Sequence, residues 1–209
     1  MIAKSELCNS VYWTGGTALA YFYLRHRDSY DIDIFSDHKI DRELLVRLVK
    51  EISEKTGLKK IEGKRIYDRQ EFFLSNGGEI RLEFVHYDFP ALTKRKKWKG
   101  IFIDSLQDMA VNKTMALIER HQPKDVFDMY FLLTKKKMSP KELLKNVKKK
   151  FGVIFPLSLF WSQALFAAKE LQTLSPLLFG TKVNQKKLLI KIQDFFERES
   201  VKFLKSIIE

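Results

Sequence analysis

Two aspartates, Asp31 and Asp33, stand on alternate residues of an otherwise apolar run, YDIDIF. The β-branched and aromatic content of the run and its strict alternation predict a strand. Side chains two apart on a strand share a face, so the carboxylates project together about 6–7 Å apart, while Ile32 and Ile34 take the other face. Two like charges at that spacing raise one another's proton affinity unless a cation sits between them. A divalent metal is the natural remedy, and Mg²⁺ prefers carboxylate oxygens. The plain alternative is the polar side of a half-buried strand, where such alternation arises by default. Glu83, in IRLEFV, offers a third carboxylate. It shares a face with Arg81 and Val85, and it completes a trio only if its strand lies beside YDIDIF. By itself it reads as a surface strand residue.

Upstream, Gly15-Gly16-Thr17 falls between a predicted strand and a predicted helix. Amides at a helix start favour anions, and glycine lets a phosphate come close. Thr17 adds a hydroxyl. No GxxxxGK[ST] pattern is present. Taken singly the GGT is a tight turn; taken with the aspartates about fourteen residues on, it describes a phosphate cradle next to a metal site. Downstream, Asp125 and Asp128 are spaced to share one helix face. Lys113 lies one turn from Leu117, with Ala110 and Ala116 small enough for close helix packing. The bland readings are a lysine that snorkels to the surface and an aspartate that offsets a helix dipole.

The elements that must position these residues change character midway. SVYWT reads as a short strand, and Thr17 to about His26 as a helix. Asp41 caps an amphipathic helix running to about Thr56, and Gly57 ends it. Residues 58–87 read as a β-meander with strands KRIYDR, EFFLS and IRLEFVHY, the last two joined by a turn at Asn76-Gly77-Gly78. After Pro90, TKRKKWKG reads as a basic loop and IFID as a further short strand. Helices are predicted at Ser105–Glu119, Pro123–Lys135, Pro140–Phe151, Leu157–Leu171 and Asn184–Ile208, with Pro123 and Pro140 in first turns. The expected architecture is α+β, with an α/β core over 1–100 and a helical domain over 101–209.

Strand, GGTAL, helix, then HR-S-DIDIF resembles the nucleotidyltransferase superfamily with a DNA polymerase β-like core. More narrowly it resembles the AbiEii toxin family, the toxins of AbiE-type abortive-infection and toxin–antitoxin systems, the MenT group among them. DMAVNKTMALIER and PKDVFDMYFL continue the pattern, which covers about residues 11–135. The resemblance implies a mixed-sheet nucleotidyltransferase core followed by a C-terminal helical bundle that contributes Lys113, Asp125 and Asp128 to the site. It implies that Gly15, Gly16 and Thr17 hold the nucleotide's phosphates, with serine common in relatives where this chain has Thr17. Asp31 and Asp33 would bind Mg²⁺; Glu83 joins them as a metal ligand only on the strand order set out above, which the resemblance does not supply. Lys113 would contact the triphosphate, and Asp125 and Asp128 would form the last acidic motif. Arg27 and Ser29 match the HR-S positions and are grouped with the nucleotide-binding residues.

That chemistry puts an acceptor hydroxyl in line with the α-phosphate of an NTP and expels pyrophosphate, with metal-held charge at both oxygens. Asp33 and Glu83 are both placed to take the hydroxyl proton, and the sequence does not choose. His26, His38, His86 and His121 show no zinc spacing and read as surface or packing residues.

Composition narrows the partners. The 209 residues carry 38 Lys and Arg against 26 Asp and Glu, a net +12 that favours polyanions. Two basic clusters stand out, Lys94–Lys99 with Trp98 interleaved and Lys135–Lys150. Lysines beside an aromatic can hold a phosphate backbone and stack a base; joined to the resemblance, they make RNA, with a tRNA 3′ end first, the expected acceptor, a protein or a small molecule being the other acceptors left open. The resemblance adds a cognate antitoxin as a partner. Cys8 is the sole cysteine, which excludes an intrachain disulfide and a cysteine zinc site. MIAKSELCNS has no apolar signal region, and no stretch reaches a membrane span. A cytoplasmic enzyme without membrane contact is expected. Two alternatives stay open: a non-catalytic nucleic-acid-binding protein on the same fold, and a nucleotidyltransferase acting on a small molecule such as an antibiotic. The basic surplus counts against the latter.

Overall fold

The computed structural model of the chain describes residues 1–208. Backbone packing divides it into two units. Met1–Arg25 and Ser29–Leu106 form the first; His26–Asp28 and the chain from Gln107 onward form the second.

The first unit is built on a mixed seven-stranded sheet. In chain order its elements are β1 (Val11–Thr14), α1 (Gly15–Ala18), β2 (Ile32–Ser36), α2 (Arg42–Thr56), β3 (Lys60–Ile66), β4 (Arg69–Ser75), β5 (Glu79–His86), β6 (Lys96–Trp98) and β7 (Ile101–Ile103). The spatial order is β3-β4-β5-β2-β1-β7-β6. β1 runs antiparallel to β2 and pairs Thr14 with Asp33. β2 runs parallel to β5 and pairs Asp33 with Glu83. These two registers position the acidic site. Its support comes from the apolar alternates: Ile34, Leu82 and Phe84 are buried, as are Leu19, Leu24, Leu45, Leu48 and Val49 from the helical segments. Asp41 caps α2 as its sequence suggests, its Oδ1 accepting from the Glu43 amide at 2.6 Å, and Gly57 closes the helix at φ 74°.

Four local expectations need correcting. The segment KRIYDR is not one strand: Tyr67 and Asp68 form the hairpin turn between β3 and β4, with Tyr67 at φ 51°. The basic segment TKRKKWKG is not all loop, because Lys96–Trp98 pairs antiparallel with β7. The helix after the glycines starts at Gly15, widens into a π-helical turn over Leu19–Leu24, and stops at Arg25 in the left-handed region. YDIDIF enters the sheet only at Ile32, so Asp31 lies at the strand's mouth.

The second unit consists of helices α3 (Leu106–Arg120), α4 (Pro123–Thr134), α5 (Pro140–Phe151), α6 (Leu157–Ala168) and α7 (Lys182–Ile208), with a 3₁₀ segment over Leu171–Leu177. α6 is therefore shorter than expected, and Pro176 confines the next segment to 3₁₀ geometry. Val126, Phe127, Met129, Leu132, Phe160, Ala164, Leu189, Ile192 and Phe196 are buried. The backbone of Asp28 joins this unit through its amide, which donates to Leu177 O at 2.8 Å. Among the described residues no helix is long and apolar enough to cross a membrane.

Candidate active site

Gly15 makes a very close approach to the sheet within the first unit. Its φ is +77°, and a Cβ built there falls 1.8 Å from Asp33 Oδ2. Only a residue without a side chain lets the helix start approach that carboxylate so closely. The antiparallel pairing of Thr14 with Asp33 imposes the approach, since Gly15 is the next residue after β1.

Thr17 ties the same turn to the strand mouth. Its hydroxyl donates to the Asp31 carbonyl and lies 2.9 Å from Ser29 Oγ. Gly15, Thr17, Ser29, Asp31, Asp33 and Glu83 thus all belong to one unit and one end of β2. Glu83 is 5% exposed. Its neighbours are cations on the same sheet: Arg69 Nε lies 2.9 Å from Oε1, and Arg81 contacts Oε2 through Nη2. Arg81 Nη1 also donates to Asp31 Oδ2 at 3.1 Å. Burial works against the Arg81 charge, but Glu83 and Asp31 outweigh it and raise its proton affinity. Arg81 thus places a cation between Asp31 and Glu83. Among the described residues no three His, Cys, Asp or Glu side chains converge as a metal cage. The donor set is nonetheless of the type that suits Mg²⁺: hard carboxylate oxygens at a strand end, beside a glycine cradle that excludes every side chain.

Arg27, Lys113, Asp125 and Asp128 come together in the second unit. Asp128 is fully buried. Its Oδ1 lies 2.7 Å from His26 Nε2 and accepts from Arg27 Nε at 2.7 Å. Its Oδ2 accepts from Arg27 Nη2 at 2.9 Å and from Lys113 Nζ at 2.8 Å. A carboxylate offers about four lone-pair positions, and all four are taken. Asp125 Oδ1 accepts from Lys113 at 2.9 Å, and Arg120 bridges both Asp125 oxygens. Burial would raise the Asp128 carboxyl, but Lys113, Arg27 and the hydrogen bond from His26 hold it well below the usual carboxylate range. Asp125 is lowered in the same way, burial being opposed by Lys113 and Arg120. Lys113 is raised, because Asp128 and Asp125 outweigh its burial. Burial lowers the His26 imidazole despite its Asp128 partner. A neutral ring donating from Nε2 also explains why buried Nδ1 has no partner, since a bare lone pair is cheaper to bury than an N–H.

Lys113 is thus neither exposed nor snorkelling: it is 7% exposed and clamped between two carboxylates. His26 and Arg120 also belong to this network, and neither was expected from sequence. The HR dipeptide at 26–27 was the available signal, because a buried Asp demands buried donors. The first basic cluster is less available to a partner than its sequence suggests. Arg95 is bidentate to Asp37 at 2.5 and 2.7 Å and lies over the Tyr12 ring at 3.4 Å. Trp98 packs against Phe22, Tyr21 and Trp13, so its ring is already engaged. In the second cluster Lys150 is buried on Asp108 at 2.8 Å.

Known proteins share this sequence pattern and fold. A profile of the family described as nucleotidyl transferase AbiEii toxin, type IV toxin–antitoxin system, matches residues 2–200. The uncharacterized protein aq_aa25 of Aquifex aeolicus (strain VF5) is 34% identical over 153 residues, covering 72% of this chain and 70% of that protein. Among solved structures, JHP933 from Helicobacter pylori aligns over 100% of this chain and 92% of its own at 20% identity, with a TM-score of 0.58. MenT4, the nucleotidyltransferase toxin Rv2826c of Mycobacterium tuberculosis H37Rv, aligns over 90% of this chain and 76% of its own at 12% identity, with a TM-score of 0.52. The α+β fold is shared with both structures.

Proposed function

Since the chain belongs to the AbiEii family of nucleotidyl transferase toxins, we propose that it transfers a nucleoside monophosphate from an NTP to the 3′ end of an RNA, tRNA first, in a Mg²⁺-dependent reaction held in check by an antitoxin. The observation that carries this reading is the close approach of Gly15 to Asp33 with Glu83 in register beside it. It supports a helix start that receives phosphates next to carboxylates that receive metal.

Asp31 and Asp33, with Glu83, would hold Mg²⁺, which when bound supplies charge stabilisation at the α-phosphate. The remaining work belongs to the chain. Backbone amides at Gly15 and Gly16 orient the phosphates, and Thr17 fixes the Asp31 backbone through its hydroxyl. Asp33 or Glu83 receives the acceptor's proton. Arg27, Lys113, Asp125 and Asp128 act as positioning residues: the saturated Asp128 locks residues 26–27 within the second unit.

Two outcomes test these roles directly. Thr17→Ser retains transfer within a few-fold, whereas Thr17→Val loses about tenfold in kcat, the worth of one hydrogen bond; equal activity in the two variants removes Thr17 from the mechanism. Arg81→Ala, which strips Asp31 of its guanidinium partner, gives a larger rise in Tm on Mg²⁺ addition than wild type, because metal and guanidinium compete for the same oxygens. An unchanged Mg²⁺ response speaks against metal at these carboxylates.

Arg81 also favours a second reading, a non-catalytic RNA-binding protein, because it already pairs with Asp31 and Glu83. One experiment separates the two. Purified protein is incubated with each α-³²P-labelled NTP, Mg²⁺ and total tRNA, beside Asp31→Ala and Asp33→Ala. Label on RNA that vanishes in both variants supports the transferase. No label on any acceptor, with RNA bound equally by all three proteins, supports the binding protein.

A further inference from the structure

Residues 107–209 hold 19 of the 38 Lys and Arg but 10 of the 26 Asp and Glu, so most of the net +12 falls there. Much of that charge on α7 is concentrated along one line. Lys187, Lys191, Arg198, Lys202 and Lys205 lie within an arc of about 60° at 3.6 residues per turn and span about 27 Å at 1.5 Å per residue. All five are exposed. Opposite them, Leu189, Ile192 and Phe196 are buried, so the basic line is the face that α7 turns to solvent.

This line borders a pocket of about 270 Å³. Its apolar side is made by Tyr130 from α4 and by Ile190 and Phe195 from α7, the two rings meeting edge to face at 5.2 Å. Its rim carries Lys187, Lys191 and Arg198. Neither lysine has a carboxylate partner among the described residues; the Arg198 guanidinium lies 5.9 Å over the Phe195 ring and shares the half-exposed Glu199 with Lys202, at 3.3 and 2.9 Å. Asp194 sits between the cations, one turn from Lys191 and from Arg198.

We propose that this pocket seats one nucleotide of an RNA strand whose backbone follows the basic line of α7. The volume suits a single base with its sugar. The rings and Ile190 give the base an apolar wall, as in single-strand sites where aromatic faces receive unstacked bases. The cations take the flanking phosphates. Asp194, which would repel a phosphate, accepts instead from a ribose hydroxyl or a base amine. The continuation of charge to Lys202 and Lys205, well past the pocket, favours a polymer over a free nucleotide. This deepens the acceptor assignment above and rests on it for the identity of the RNA.

The test is fluorescence anisotropy with 5′-fluorescein-labelled total tRNA and a labelled 12-nucleotide oligo(A), across a salt series. The variants are Lys187→Glu/Lys191→Glu on α7 and Lys141→Glu/Lys145→Glu on the exposed face of α5. The two pairs change net charge equally. The α7 pair is expected to weaken RNA binding at least tenfold and to flatten the slope of log K against log salt by about 0.7 for each phosphate no longer neutralised. The α5 pair changes affinity less than threefold. Equal losses in both pairs overturn the proposal, because they report net charge alone. Displacement of a fluorescent AMP analogue without any change in RNA affinity also overturns it and identifies a free-nucleotide site. Binding that depends on α7 with no label transferred by wild type defeats only the transferase reading. Transfer with an unchanged RNA KM in the α7 pair defeats only this inference.

Discussion

Gly15→Ala is expected to abolish nucleotidyl transfer as thoroughly as Asp33→Ala, although it adds one methyl group and removes no polar atom. The new Cβ would lie 1.8 Å from Asp33 Oδ2 and 2.6 Å from its Cγ, at a backbone φ of +77°. Neither partner can yield cheaply. The carboxylate is rooted in β2, between β1 and β5, and the helix start is tied to Asp31 through Thr17. The expected effect is a displaced Asp33, and misplacement of a reacting group by about 1 Å costs on the order of 10²-fold in rate. Backbone strain at positive φ adds about 1–2 kcal/mol of destabilisation. Gly57→Ala isolates that part, since its φ is +74° with nothing within 4 Å of the added Cβ. It should lose stability and keep activity. Transfer by Gly15→Ala within a few-fold of the Gly57→Ala rate would show that the carboxylate held against Gly15 does not participate.

Asp128→Asn is expected to be the most destabilising single change in the second unit, at about 3–5 kcal/mol, because it leaves buried cations uncompensated. Arg27 and Lys113 lose their shared counter-charge, and only Asp125 remains near Lys113. Urea unfolding at pH 7.5 measures the loss; a change below 1 kcal/mol would mean that the network is solvated in solution. The same cluster sets the pH response in two windows. The folded-state imidazole of His26 is lowered, so the unfolded chain binds the extra proton once pH falls below about 6.5. Stability therefore declines on acidification from that point, and His26→Gln removes this first decline. The folded-state carboxyls of Asp128 and Asp125 are lowered too. Their contribution is complete above about pH 4, the unfolded value, and is lost as pH drops further toward the folded values. Arg27, Arg120 and Lys113, which face these groups, stay charged throughout both windows. Stability that is flat from pH 6.5 to 5 would refute the buried neutral histidine.

Local signals in the sequence determined a good deal. Period-two alternation marked β2 and β5, helical spacing marked α2 to α5, and turn residues marked Gly57 and the Gly77 hairpin, because each depends only on residues close in the chain. The pairing of GGT with DxD was equally legible, since a strand, a short helix and a returning strand suffice to bring them together. Every relation between distant residues needed the fold. That β5 lies parallel to β2 with Glu83 beside Asp33 follows from strand order, which no local pattern encodes. That Arg81 reaches both Asp31 and Glu83 depends on the same order, as one face of β5 carries both the acid and its counter-ion. Lys113 shows the limit most plainly. Its helix reads equally well as a surface helix or a site helix, and only the burial of two aspartates on α4 decides that this ammonium is held inside. The basic segments differ for the same reason: Arg95 and Lys150 are ordinary cations in sequence, and tertiary contacts alone turn them into internal counter-ions, while the lysines of α7 remain available to solvent.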